Sequence, residues 1–66
     1  MKQDLEDIAI IRMPEVKRLT GLGRTSIYQM MANGIFPRSV TLGARAVGWI
    51  VGDIRIWLQE KRLNQT

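Results

Sequence analysis

The sequence predicts an α+β, predominantly helical domain of three helices with a small antiparallel β-hairpin and a short N-terminal strand. Three observations predict it. A chain of 66 residues makes one small domain, able to bury only about 60% of the surface it exposes when unfolded. Apolar residues recur at three- and four-residue spacing in three stretches that begin or end at Gly or Pro. Between the second and third stretches the period changes to short β-branched runs on either side of Gly43.

Residues 1–7 carry three acids and one Lys around Leu5 and are expected to form a flexible arm, leaving 8–66 as one folded unit. Ile8 to Met13 is a β-branched run that suits a strand, stopped by Pro14. Pro14 opens a helix to Thr20, since proline is pre-organised for the first helical position and Glu15 suits the positive end of the helix dipole. Val16 and Leu19 form its inner face, Lys17 and Arg18 point outward, and Gly21 supplies the left-handed stop. A second helix runs from Arg24 to Asn33, between Gly23 as a second-rank N-cap and Gly34 as its stop. At about 100° per residue, Ile27, Met30 and Met31 cluster on one side. Thr25, Gln29 and Asn33 fall on the other, flanked by Ser26 and Tyr28.

Ile35-Phe36-Pro37 places apolar weight beneath that helix. Ser39–Leu42 and Ala46–Ile50 are strand-like runs joined by Gly43-Ala44-Arg45, a three-residue hairpin link with Arg45 at its tip. The last helix begins near Gly52-Asp53, where Asp53 caps it or complements its dipole, and continues to about Leu63. Ile54, Trp57, Leu58 and the stem of Lys61 face inward, and Ile56 faces outward. Trp49 and Trp57 fall on inward positions, as core rather than as a base-stacking platform.

Composition narrows the chemistry. With no Cys and no His, the chain lacks disulfides, thiolate and imidazole metal ligands and the commonest nucleophile and general base. No enzyme activity, metal or cofactor is expected, and no small-molecule substrate. No apolar run approaches the ~20 residues that span a bilayer, so no membrane partner is expected and the chain reads as cytoplasmic. Ten Lys and Arg against six Asp and Glu leave a net charge of +4, which favours a polyanionic partner.

Helix, tight Gly turn, second helix and basic hairpin in that order make a winged helix-turn-helix, whose second helix enters the major groove of double-stranded DNA. Arg24 opens that helix, so its guanidinium meets a phosphate or a guanine edge. Thr25, Ser26, Gln29 and Asn33 line the polar face; Gln pairs with adenine, while capping of the helix start is an equal alternative for Thr25 and Ser26. The Tyr28 ring covers the core while its hydroxyl reaches a phosphate, with core support the competing role. Arg45 is the wing contact, suited to a narrow minor groove. Lys17, Arg18 and Arg38 are phosphate contacts by location.

The ordered set Leu19-Thr20-Gly21-Leu22, Arg24, Ile27-Tyr28, Gly34, Phe36-Pro37, Leu42-Gly43, Arg45, Val47, Trp49 and Trp57-Leu58 resembles the AlpA family of small prophage regulators. These are related in fold to phage excisionases and to MerR-type DNA-binding domains. The resemblance covers Ile11 to about Arg62. It implies a winged helix-turn-helix that binds a promoter or attachment site and promotes integrase expression or excision. Recognition then falls on Arg24, Thr25, Ser26, Tyr28 and Gln29, and the wing role on Arg45. The chain departs from the pattern at Gly23, where Ser is usual, at Ser39 and Thr41, where Pro and Lys are common, and at Val51-Gly52, where Glu-Ser often stands.

The expected function is therefore sequence-specific double-stranded DNA binding by a regulator of a prophage or integrated element. So small a unit covers little DNA, and self-association or cooperative tandem binding is expected. The competing class is a protein-interaction module, antitoxin-like or a regulatory subunit, that docks through Ile56 and the Ile8–Met13 strand.

Overall fold

The computed structural model describes residues 7–64. Its order is β1 (Ile10–Ile11), α1 (Met13–Thr20), α2 (Arg24–Ala32), β2 (Val40–Thr41), β3 (Val47–Ile50) and α3 (Val51–Leu63). The strands form one antiparallel sheet in the order β1-β3-β2. Ile10 pairs with Ile50 and Ile11 with Trp49, while Val40 pairs with Gly48 and Thr41 with Val47. Two helices joined by a tight glycine turn, a hairpin and a closing helix make this a winged helix-turn-helix of mixed α+β class.

The strand expected over Ile8–Met13 shrinks to Ile10–Ile11, because Arg12 turns extended to begin α1 and its carbonyl accepts the amides of Glu15 and Val16, each at 3.0 Å. The hairpin closes as expected: the Leu42 amide bonds to the Ala46 carbonyl at 2.7 Å around the three-residue link Gly43-Ala44-Arg45, although the regular strands are shorter, ending at Thr41 and resuming at Val47. At the last helix Asp53 does not cap. Ile50 holds the N-cap position, β3 runs directly into α3, and the Val51 amide donates to the Ala9 carbonyl at 2.8 Å. Asp53 lies in the first turn, where its charge complements the dipole.

Met13, Val16, Ile27, Phe36, Trp49 and Ile54 form the buried core, so every helix and the central strand contribute to it. Full burial of an aliphatic side chain contributes roughly 1.5–3 kcal/mol. The loop after α2 is held by two indoles: Trp49 donates to the Pro37 carbonyl at 3.2 Å and Trp57 to the Ile35 carbonyl at 2.8 Å. Phe36 meets the Trp57 ring edge-on at 4.8 Å. Trp49 is wholly buried; Trp57 is half-buried, with the Lys61 ammonium 5.1 Å from its ring centre.

Two apolar residues lie elsewhere than expected. Leu19 is over a third exposed, on a groove it shares with Ile54 and Leu58 of α3, because the short α1 turns only Met13 and Val16 fully inward. Ile35 is 52% exposed: its carbonyl, not its side chain, does the anchoring. Most of the arm expected over 1–7 lies outside the described residues; Asp7, which is described, pairs with Arg55 at 2.5 Å. Among the described residues no helix is long and apolar enough to cross a membrane.

Candidate nucleic-acid interface

The turn between α1 and α2 is set locally. Gly21 adopts φ 74°, and its amide caps the Lys17 carbonyl at 2.8 Å. The Thr20 hydroxyl donates to the Val16 carbonyl at 2.7 Å and accepts the Leu22 amide at 3.2 Å. Gly23 then takes the N-cap of α2 in extended conformation, and its carbonyl receives the Ile27 amide at 3.0 Å.

Because Ile27 is wholly buried and Met30 and Met31 pack on the core, α2 turns its remaining face to solvent. Thr25, Ser26, Gln29 and Asn33 are all exposed on it. Thr25 and Ser26 do not cap the helix: Gly23 is the cap residue, and no side-chain hydrogen bond closes it. The result is a polar, uncharged helix face with unsatisfied first-turn amides.

At the start of α2 the surface becomes basic. Arg12, Arg24, Tyr28 and Arg45 line one cleft of about 280 Å³, with Met13, Pro14 and Val47 completing its walls. Arg45 comes from the hairpin link, and Arg24 is the first residue of α2. Tyr28 is 43% exposed and stands outside the buried core, so its ring forms cleft wall rather than core.

The structure thus brings Arg24, Tyr28 and Arg45 together and leaves the other expected basic residues apart. Arg38 is exposed in the segment before β2, and Lys17 is exposed on α1. Arg18 is engaged within its own helix, where its Nε donates to Glu15 Oε1 at 3.1 Å and its Nη2 to Glu15 Oε2. That pairing holds the Glu15 carboxyl below the ordinary glutamate range and raises the Arg18 guanidinium.

Arg12 is the residue that sequence reasoning missed. Assigned to a strand, it reads as one polar position in an apolar run. As the N-cap of α1 it projects beside Arg24 and Arg45 instead. The available signal was Pro14, which marks a helix start and sets the residues just before it at that helix's N-terminus.

A family model described as "Prophage CP4-57 regulatory protein (AlpA)" matches residues 9–63. The chain is 36% identical over 55 residues to "Uncharacterized protein ORF88" of Enterobacteria phage P4, covering 83% of this chain and 62% of that protein. It therefore spans less than two thirds of the phage protein's length. It is 33% identical over 60 residues to "DNA-binding transcriptional activator AlpA" of Escherichia coli (strain K12), covering 82% of this chain and 86% of that protein. The family match extends over nearly the whole chain, from β1 through the last residue of α3, and the chain belongs to the AlpA family of prophage regulatory proteins.

Proposed function

We propose that the protein is a non-enzymatic, sequence-specific double-stranded DNA-binding regulator of a prophage or integrated mobile element, acting on integrase expression or on excision. The observation that carries this reading is the exposed, uncharged polar face of α2 beside a basic cleft. A helix ~10–12 Å across fits a major groove ~12 Å wide. In that groove Gln29 and Asn33 hydrogen-bond base edges, and Thr25 and Ser26 donate to bases or phosphates. Arg24 and Arg45 take the flanking backbone from the helix start and the wing, with Tyr28 between them. Lys17 and Arg38 add long-range attraction at the periphery. The naming of the Escherichia coli relative as a DNA-binding transcriptional activator supports the same reading.

Selection of bound duplexes from a random pool tests it. The expected result is a defined motif for the wild type that is relaxed or lost in Gln29→Ala and Asn33→Ala, each lost base contact costing ~1–3 kcal/mol. Recovery of no enriched sequence, or of the same motif from both variants, contradicts it.

Ile8, Ile10 and Ile56, at 66%, 38% and 55% exposure, favour a second role for these exposed apolar positions outside α2. β1 is an edge strand, and an apolar edge of this kind suits self-association or tandem binding on adjacent DNA sites. Sedimentation with and without duplex separates this from docking on an unrelated protein.

A further inference from the structure

We propose that the cleft between β1, α2 and the hairpin is a socket for one phosphate of the DNA backbone, with Arg12 as a binding residue alongside Arg24 and Arg45; this rests on the DNA-binding reading above. Three guanidiniums from three separate elements line the same cleft, and among the described residues no carboxylate lines it. Two arginines elsewhere have acidic partners within the fold, Arg18 with Glu15 and Arg55 with Asp7. Like charges gathered in one concavity repel one another, and an anion from outside removes that repulsion.

The walls favour a phosphate over a base edge. Met13 and Pro14 begin α1 and Arg24 begins α2, so two helix N-termini, each with its positive dipole end, open on the same space. Guanidinium forks match the oxygens of a phosphate in pairs. Tyr28, in the same wall, brings a phenolic donor. A volume of about 280 Å³ holds a phosphate group together with several waters, each of which takes ~30 Å³ in the liquid. The polar face of α2 lies outside this cleft and stays free for the bases.

One phosphate held at once by the strand–helix junction, the recognition helix and the wing fixes how far α2 advances along the groove. Arg12 therefore acts through position and affinity, and on every sequence equally.

The test measures binding of a fluorescent mixed-sequence 20-base-pair duplex between about 50 and 200 mM salt. The proteins compared are the wild type, Arg12→Ala, Arg12→Gln and Arg62→Ala, the last removing the same charge from the far end of α3. The socket predicts that both Arg12 variants bind several-fold more weakly at the low-salt end and that their log–log salt slope falls by about 0.9, the value for one lost phosphate contact. Arg62→Ala keeps the wild-type slope. If a folded Arg12 variant matches Arg62→Ala in affinity and slope, the socket is wrong while DNA binding stands. If the wild type shows no salt-dependent affinity for duplex, the DNA-binding reading itself fails.

Discussion

The side chain of Thr20 is bonded to the backbone of Val16, its hydroxyl donating to that carbonyl at 2.7 Å while accepting the Leu22 amide at 3.2 Å. This one hydroxyl links the last turn of α1 to the turn that follows and thereby helps aim α2. Thr20→Val keeps the shape and removes both bonds. A net loss of about 1–2 kcal/mol is expected in urea denaturation, together with weaker duplex binding from a less firmly held α2. Unchanged stability would mean that Gly21 alone sets the turn.

Gly48 lies in the central strand where a Cβ would stand 2.4 Å from Ile10 Cγ2 and 3.0 Å from the Ile11 carbonyl oxygen. The side chain of Ile10 can rotate away, but the backbone of β1 cannot move without loosening its pairing with β3. Gly48→Ala is expected to destabilise by about 1–3 kcal/mol, read from a lowered denaturation midpoint with little change in slope. A neutral result would show that β1 yields easily.

Much of this architecture was legible from local signals. Gly21 and Gly34, both at positive φ, bracket the elements as expected, and the three-and-four spacing of Ile27, Met30 and Met31 fixes which side of α2 is wet. What local pattern cannot supply is pairing between distant segments. The Val51 amide finds its partner in Ala9, so α3 starts before Asp53 and needs no side-chain cap. Pro14 marks the helix start at which Arg12 stands, but its meeting with Arg24 and Arg45 depends on β1 being hydrogen-bonded beside β3, a pairing between distant segments.

The pair Glu15–Arg18 gives stability a weak pH dependence with a definite sign. Glu15 is held in its charged form, so its contribution is complete above its ordinary value of 4.5 and is lost as pH falls through the depressed folded value. Both groups are well exposed, so the effect is small. Thermal melts from pH 7 to pH 3 are expected to show wild type and Glu15→Gln converging below pH 4.5. A difference constant across that range would mean that the ion pair contributes nothing. Glu15→Gln also releases Arg18, and tighter low-salt duplex binding by this variant is the companion outcome.

Amide chemical-shift mapping of the labelled protein during titration with its selected DNA shows which surface meets the duplex. The largest changes are expected at Arg24, Thr25, Ser26 and Gln29 of α2, at its C-cap Asn33 and at Arg12 and Arg45 of the cleft, with little change at the exposed Ile56 of α3. Changes centred on Ile8, Ile10 and Ile56, with α2 undisturbed, would contradict DNA binding through α2.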